Sequence, residues 1–397
     1  AEKAPYPGDT EISTTWLTKI LCDKNVIEEG VSVSEAIVTD LKGNRGLSGA
    51  ISKILLKYST ENAGPNSLIL KMTPLSSRKR DSAREALFYN KFGEELASNL
   101  PQILYSFAEE STGTSVVLMG NLKESNIGID ANFLFGNQIW GVPDGVVDKN
   151  SPKQLDVLEE MFLTAAEWNA KYWNDKTLLD QEWLKAVSWY KGEDKERWEF
   201  AIASSKGSWN KLKAKVSSGE GSLKLDEKLL KIIDRSFENS SWENLQDHLK
   251  SQDVPFTLCH GDFHAANMFW NQEKPHLRIY DWSEIGLWEP CADLGQTVIS
   301  DIRPAVWLDE DVKILRKYWE KLISLGVSAD EYPYEKCLEG YQRAPVERWI
   351  WVFCILSAFG LPDFAIQYFH DQLLAFINKH GNGREFYVLK PIVTLNQ

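Results

Sequence analysis

The stretch CHGDFHAAN, from Cys259 to Asn267, places two histidines, an aspartate and an asparagine within eight residues. A second stretch, IYDWSEIG from Ile279 to Gly286, carries an aspartate at the end of an apolar run. The short strand-like pieces FTLC, NMFW and LRIYD lie around both stretches and predict loops that leave small strands. Polar side chains at such positions are typical of a metal site or of a group-transfer site, and their spacing decides which is favoured.

A metal-hydrolase interpretation uses the alternation of His260, Asp262 and His264. On a strand these side chains would point to one face and could hold a metal ion, but zinc would need further ligands. The remaining histidines form no recognisable pair: they are His248, His276, His370 and His380. This interpretation is therefore the weaker one.

A phosphotransfer interpretation uses the whole stretch, because protein-kinase catalytic loops have His-x-Asp followed five residues later by Asn. His260, Asp262 and Asn267 keep this spacing. Asp262 would accept or orient the proton of an attacking hydroxyl, Asn267 would bind Mg²⁺ through its amide oxygen, and Asp281 would be the second magnesium ligand. Each residue alone is more often a turn or cap residue, so the prediction rests on their joint order.

Upstream, the segment LKGNRGLSGAISKILLKY contains glycines in a predicted turn between two strands. Gly43, Gly46 and Gly49 would let backbone N–H groups approach phosphates closely, and Ser48 would add a hydroxyl. Taken alone, a glycine-rich turn of this kind is more often only a hairpin.

The next strand, SLILKM, has Lys71 among apolar neighbours. A lysine on a strand beside a nucleotide-binding loop can bind the α- and β-phosphates, and it needs a carboxylate to hold it. Glu85 in the following helix is the natural partner, so we predict a Lys71–Glu85 pair.

The order of elements predicts an α+β fold with two parts. β-like runs (SVSEAIVTDL, AISKILLKYS, SLILKM, SVVLM) and the helix RDSAREALFYNKFGEEL predict a small antiparallel sheet with one helix packed on it, which we assign to residues 1–122. Amphipathic helices dominate the rest, so residues 123–397 are predicted to form a larger, mainly helical lobe. Within it, residues 204–224 have the composition of a solvated surface excursion.

Composition limits the possible partners. The net charge of -13 argues against nucleic-acid binding, which needs a basic surface. The five cysteines are scattered without a CxxC pair, so we expect a reducing, cytoplasmic compartment. The longest apolar run, Ile350 to Leu361, is too short to span a membrane. The chain begins at Ala1, which leaves a processed or trimmed N-terminus open. The oligomeric state is also open.

These motifs together resemble the aminoglycoside phosphotransferase and choline kinase superfamily of small-molecule kinases. The resemblance lies in HGDFHAAN, YDW, the segment PCADLG, the helix TAAEWNAKYW and the upstream Lys71 and Glu85. It implies a two-lobed, protein-kinase-like fold and the cofactors ATP and Mg²⁺. It also implies that Asp262 is the catalytic base, that Asn267 and Asp281 bind magnesium, and that Asp293 and His260 support the loop without reacting.

Two departures from the family pattern concern the hinge and one helix. Relatives usually have Glu-Asp-Leu after the strand SVVLM, whereas this chain has Gly120, Asn121 and Leu122. Adenine would then be recognised by backbone groups around Met119 and Asn121. In TAAEWNAKYW the usual histidine is Asn169, a change expected to affect packing more than chemistry.

The acceptor is expected to be a small molecule with a hydroxyl group. Few residues separate Asp281 from Pro290 and no Ala-Pro-Glu follows, so a segment for docking a peptide is missing. Aromatic and acidic residues suit an ammonium group. The candidates for a substrate pocket are Trp282, Glu284, Trp288 and Trp349, with Trp351, Glu289 and Glu347 as further possibilities. At apolar helical positions such tryptophans are more often core. An amino alcohol, a sugar, an aminoglycoside or a lipid-like alcohol would fit.

A pseudokinase that binds a nucleotide or ligand without turnover is the alternative from another class. The altered hinge at Gly120 and Asn121 keeps it open. Four residues that transfer would need argue against it: Lys71, Asp262, Asn267 and Asp281.

Overall fold

The computed structural model describes residues 12–41, 50–124, 128–130, 151–381 and 383–389. The chain divides into two compact units, one of Ala1–Asp130 with Met268–Ser283 and one of Ala131–Asn267 with Glu284–Gln397. The predicted boundary after residue 122 stays a prediction. What the sequence order did not indicate is that the segment after the loop CHGDFHAAN returns to the first unit.

The first unit is built on a five-stranded antiparallel sheet with the order β1-β2-β3-β5-β4. Its strands are β1 Val33–Asp40, β2 Ala50–Tyr58, β3 Ser67–Met72, β4 Ile103–Glu109 and β5 Thr114–Gly120. Helix α1, Thr14–Asp23, is capped by Ser13, whose Oγ accepts a hydrogen bond from the Trp16 N–H at 3.1 Å. The buried face of α1 belongs to the same apolar core as the sheet.

Helix α2, Arg84–Phe92, confirms the helix predicted between the third and fifth strands. Its apolar residues Phe88 and Phe92 are buried, and the hydroxyl of Ser106 in β4 donates to the carbonyl oxygen of Ala86 at 2.9 Å. A second sheet of the first unit contains β6 Gly128–Asp130, β8 Met268–Asn271 and β9 Leu277–Ile279 in the order β6-β8-β9. The late segment therefore contributes strands to the first unit.

The second unit is mainly helical. Its helices are α3 Gln154–Lys171, α4 Val187–Tyr190, α5 Lys195–Ser217, α6 Glu227–Asn239, α7 Trp242–Lys250, α8 Pro290–Asp301, α9 Pro304–Trp307, α10 Asp311–Ser324, α11 Tyr334–Leu356 and α12 Asp363–His380. Strands β7 Thr257–Cys259 and β10 Gly286–Trp288 form an antiparallel pair. The expected α+β class, with a small antiparallel sheet and a larger helical part, is confirmed.

One expectation for the second unit was wrong. Residues 204–224 are not a surface excursion, because most of them continue helix α5, whose Trp209 and Leu212 are buried. The Lys- and Ser-rich composition reflects the exposed face of this helix. The opposite face carries the buried side chains, among them Trp209.

Helices α8 and α11 pack very closely where Gly295 of α8 meets Pro345 of α11, because a Cβ on the glycine would overlap the proline ring. Within the described ranges, no helix is long and apolar enough to cross a membrane. Only the first part of the apolar run that begins at Ile350 lies in α11, where Ile350, Trp351 and Phe353 are buried, whereas Phe359 beyond the helix is exposed.

Candidate active site

Lys71 forms two ion pairs within the first unit. It lies in β3, and its Nζ is 2.5 Å from Oε2 of Glu85 and 3.2 Å from Oδ1 of Asp281. Burial alone would lower the pKa of Lys71, but the carboxylates of Asp281 and Glu85 outweigh it and raise the pKa above its ordinary value. The structure thus brings together three residues that were predicted from separate motifs.

Asp281 has an unusual backbone conformation, with φ of 59° in the left-handed region. Non-glycine residues adopt it at a cost in free energy and often do so at functional sites. Its Oδ1 also accepts a hydrogen bond from Oγ of Ser283 at 3.0 Å. The side chain is therefore oriented by Lys71 on one side and by its own chain on the other.

Residues of helix α2 contact the segment around Asp281. Nη1 of Arg84 donates to the carbonyl oxygen of Ser283 at 3.1 Å, and the ring of Phe88 stacks on Trp282 with centroids 4.2 Å apart. Glu85, between them, accepts from the backbone N–H of Trp282, which counteracts the rise in its pKa caused mainly by burial. One helix face thus fixes both the partner of Lys71 and the segment that carries Asp281.

In the second unit, the loop after β7 begins at Gly261, which has φ of 85°. A Cβ at this position would overlap the backbone carbonyl of Glu284, so only glycine fits. Asp293, at the start of α8, accepts hydrogen bonds from the backbone N–H groups of His260 at 2.8 Å and Gly261 at 3.2 Å. These contacts agree with the supporting role that the resemblance implies for Asp293.

Arg348 of helix α11 is a residue that sequence reasoning missed. Its Nη1 donates to Oδ1 of Asp293 at 3.0 Å, its Nη2 donates to the carbonyl oxygen of Gly261, and its side chain is buried. Gly261, the residue before Asp262, is therefore held at both its N–H and its C=O. No motif marks this arginine, because it lies far along the chain in an apolar helix.

The carboxylate of Asp262 is hydrogen-bonded at both oxygens and is still accessible, with 39% of its side chain exposed. Nε2 of Gln296 donates to Oδ1 at 2.7 Å, and Nδ2 of Asn267 donates to Oδ2 at 3.1 Å. Nε2 of His264 lies 3.3 Å from Oδ2. Gln296 is the second residue that the sequence did not reveal.

The charge state of Asp262 follows from these neighbours. Burial would raise the pKa of its carboxyl, but His264 next to it and the charge of Arg348 hold that pKa well below its usual range. Asp262 is therefore ionised near neutral pH and can only accept hydrogen bonds.

Asn267 has the geometry of a ligand for a hard cation. Both hydrogen bonds described for its side chain use Nδ2, which donates to the backbone oxygen of Asp262 at 3.0 Å as well as to its carboxylate. The amide is thereby turned so that, among the described residues, nothing donates to Oδ1. An amide oxygen held in this way suits Mg²⁺, and so does the carboxylate of Asp281 in the first unit.

Asp301 supports the other side of the loop. Its Oδ2 accepts a hydrogen bond from the N–H of Ala265 at 2.8 Å. Burial raises the pKa of Asp301 from 3.8 to about 6.

His260 is fully buried, and its Nδ1 accepts from the N–H of Asp262 at 3.2 Å, as expected for a supporting residue.

In the part of the chain that the structure describes, no three His, Cys, Asp or Glu side chains are placed to hold a metal ion.

The tryptophans considered as pocket walls are core residues. Trp282, Trp288 and Trp349 are 0%, 2% and 3% exposed. Trp288 packs edge-to-face on Trp189 at 5.9 Å, and Trp349 stacks on Phe369 at 5.4 Å. The structure thus corrects the expectation that their rings face a substrate, because each ring is covered by protein.

The acidic residues considered as cation anchors already have internal partners. Glu284 forms an ion pair with Lys185. Glu289 and Glu347 both bind Arg343, at 2.6 Å and 2.9 Å. Each of these carboxylates thus has a basic partner within the second unit, and the guanidinium of Arg343 serves two of them.

Trp351 likewise uses its indole N–H internally, donating to the carbonyl oxygen of Ala201 at 3.4 Å.

The hinge residues are placed at the end of β5. Met119 is buried, opposite Ile69 of β3. Nδ2 of Asn121 donates to Oγ of Ser67 at 2.8 Å, and its Oδ1 accepts from the N–H of Lys123 at 3.1 Å. The side chain of Asn121 is thus engaged locally, and backbone recognition of adenine stays a prediction.

The glycine-rich turn with Gly43, Gly46, Ser48 and Gly49 lies outside the described residues.

Asn169, which replaces the usual histidine, has a packing role as expected. Its Nδ2 donates to the carbonyl oxygen of Leu258 at 3.1 Å, and its Oδ1 accepts from the hydroxyl of Tyr318 at 2.9 Å.

The model of a phosphotransferase enzyme family matches residues 171–323. This range includes the loop with Asp262 and Asn267 and the segment with Asp281. The resemblance to the aminoglycoside phosphotransferase and choline kinase superfamily is confirmed by this match, which supports a small-molecule phosphotransferase and covers less than half of the chain.

Solved structures of small-molecule kinases are similar to this chain at low sequence identity. A choline kinase from Cryptosporidium parvum Iowa II is 12% identical with a TM-score of 0.49, covering 92% of this chain and 95% of that chain. A Plasmodium vivax ethanolamine kinase is 11% identical with a TM-score of 0.44, covering 91% and 87%. A choline/ethanolamine kinase family protein from Mesorhizobium loti is 13% identical with a TM-score of 0.41, covering 88% and 90%. No curated protein matches the sequence.

Proposed function

We propose that this protein is an ATP- and Mg²⁺-dependent phosphotransferase that transfers the γ-phosphate of ATP to a hydroxyl of a small molecule. The observation that carries the proposal is the carboxylate of Asp262, ionised and accessible, in a loop with kinase spacing and held by Gln296 and Asn267. A carboxylate of this kind is what a hydroxyl acceptor requires for its orientation.

Each residue has a role in this proposal. Asp262 accepts a hydrogen bond from the acceptor hydroxyl and aims its oxygen for attack. As an ionised carboxylate, Asp262 can take up the proton of the hydroxyl as the bond to phosphorus forms. Asn267 and Asp281 would hold Mg²⁺, Lys71 would bind phosphate oxygens, and Glu85 keeps Lys71 in place. When bound, ATP supplies the phosphoryl group and Mg²⁺ neutralises its negative charge.

The order of elements after Asp281 supports a small acceptor. A single 3₁₀ turn, Trp282–Glu284, and strand β10 fill the chain between this aspartate and Pro290 at the start of α8. This leaves no long segment for docking a peptide. An amino alcohol, a sugar, an aminoglycoside or a similar alcohol is the proposed acceptor class. The five scattered cysteines, without a CxxC pair, support a reducing, cytoplasmic setting.

The test is an ADP-release assay with ATP and Mg²⁺ over a panel of amino alcohols, sugars, aminoglycosides and sterol-like alcohols. With the acceptor that gives turnover, Asp262→Asn is expected to lower kcat by about 10²- to 10⁴-fold, because the amide cannot accept the proton. Asp253→Asn, at a side chain that is 81% exposed, is the matched control and should leave kcat unchanged. ATP binding without turnover of any alcohol would instead identify a pseudokinase.

A further inference from the structure

Gln296 touches the reactive carboxylate from a helix that carries no recognised catalytic residue. It lies in α8, one turn after Asp293, and its Nε2 donates to Oδ1 of Asp262 at 2.7 Å. The side chain is only 6% exposed. The orientation of the amide follows from charge, because its carbonyl oxygen would be repelled by the ionised carboxylate of Asp262.

The carbonyl oxygen of the same amide lowers the stability of the fold. Oε1 of Gln296 is buried and has no hydrogen-bond partner among the described residues. A buried carbonyl oxygen without a partner is destabilising, whereas an apolar side chain of the same length would avoid the cost. Stability alone therefore does not explain a glutamine at this position.

The contact has a clear effect on Asp262. Asn267 and His264 both lie at Oδ2, while Gln296 is the side-chain donor at Oδ1. A carboxylate held at one oxygen can rotate about its Cβ–Cγ bond, because this torsion is broad and roughly two-fold. Donors at both oxygens fix the plane of the carboxylate.

We propose that Gln296 is a positioning residue that fixes the plane of the Asp262 carboxylate toward the acceptor hydroxyl. The inference rests on the proposed function. Gln296 acts through Asp262, so it governs kcat and leaves the affinity for ATP unchanged. A misplacement of the reacting groups by about 1 Å can lower a rate by about 100-fold.

The test is Gln296→Met, which keeps the length of the side chain and removes both the NH₂ group and the carbonyl oxygen of the amide. We expect kcat to fall about 10- to 100-fold, with KM for ATP within about 2-fold of wild type. The melting temperature should stay equal or rise, because the unpartnered carbonyl is gone and water can reach the exposed carboxylate of Asp262. A structural role predicts the opposite, a lower melting temperature.

Gln246 offers a matched control in helix α7. It is 7% exposed, its Nε2 donates to the carbonyl oxygen of Trp189 at 2.9 Å, and its Oε1 also has no partner among the described residues. The carbonyl of Trp189 keeps a second donor, the N–H of Gly192 at 3.0 Å. Gln246→Met therefore makes the same change in the interior, and its kcat should equal that of wild type.

Crystal structures of wild type and Gln296→Met give a readout that does not depend on activity. The inference expects the Asp262 carboxylate to turn in the variant, and an unchanged carboxylate overturns it. A wild-type kcat in Gln296→Met, or a drop in kcat together with a lower melting temperature, overturns it as well. If wild-type protein turns over no alcohol in the panel, the proposed function fails, and the crystal structures still decide whether Gln296 positions the carboxylate.

Discussion

At the scale of single residues, the buried carboxyl of Asp301 anchors the loop, and its burial has a cost in stability. The pKa of its carboxyl is raised by burial from 3.8 to about 6, so the folded protein holds a proton more tightly than the unfolded chain. The contribution of Asp301 to stability therefore falls as the pH rises from about 4 to about 6, and its penalty is complete above that range.

We expect Asp301→Asn to raise the free energy of unfolding by about 1–3 kcal/mol at pH 7, because the amide removes the buried charge. Its Oδ1 can still accept from the N–H of Ala265. The difference from wild type should shrink toward pH 4, where both proteins are uncharged at this position. Urea denaturation between pH 4 and pH 8 measures both effects.

A gap that persists at pH 4, or a variant less stable than wild type at pH 7, would show that the carboxylate charge is needed to hold the loop. Asp253→Asn changes an exposed carboxylate and serves as the control for any general effect of the substitution.

Some site residues were visible in the sequence because they occur in short motifs. Asp262 and Asn267 share one loop, Lys71 lies in a strand and Glu85 in the first turn of the next helix, so local pattern sufficed to propose them. Arg348 and Gln296 reach the same loop from helices, and no local pattern distinguishes them from other polar residues. The sixteen tryptophans could not be sorted into pocket and core, because aromatic residues favour both.

At the scale of elements, the loop after β7 depends on a glycine. Gly261 combines a φ of 85° with a close approach to the backbone of Glu284. We expect Gly261→Ala to destabilise the protein by at least about 2 kcal/mol and to lower kcat, because the loop must shift to admit the methyl group. Thermal unfolding and the ADP-release assay together measure this.

The comparison is Gly207→Ala in helix α5, where a Cβ would meet nothing within 4 Å. This substitution should stabilise the protein by about 1 kcal/mol, since alanine is the better helix former. If both variants behaved alike, the close approach at Gly261 would not constrain the loop.

Elements with a clear local pattern were predicted from the sequence, and one strand without such a pattern was not. Helix α2 was expected from its amphipathic pattern, and amphipathic helices were expected to dominate the second part of the chain. The short strands β7, β8 and β9 were visible as apolar pieces. Strand β4, Ile103–Glu109, was not expected, because its sequence ILYSFAE lacks regular alternation.

At the scale of the whole molecule, the first unit is discontinuous in the chain. Strands β8 and β9 and the segment of Asp281 belong to it, although they follow the loop of Asp262 in the sequence. Local patterns report what an element is, but they do not report which unit a strand joins. This is why the sequence suggested a simple division near residue 122.

We expect a fragment of residues 1–130 to lack a native fold, because β6 loses its partner β8 and Phe88 loses Trp282. Asp130 pairs with Phe269, so a short turn can join residue 130 directly to the segment Met268–Ser283. That joined chain should fold. NMR spectra of both proteins, compared for the dispersion of amide signals, measure the difference.

Well-dispersed signals from the shorter fragment would contradict this expectation, since they would show that the late segment is dispensable for the first unit.

The discontinuous first unit also sets an order of events during protein synthesis. The N-terminal unit cannot be completed until residues 131–283 have been added, which takes roughly 8 to 30 s at about 5–20 residues per second. Until then Lys71 has Glu85 but not Asp281, and the face of α2 that later meets Trp282 is uncovered on the nascent chain. The apolar surface of this face thus stays open to chaperones on the nascent chain until the late segment of the first unit has been made.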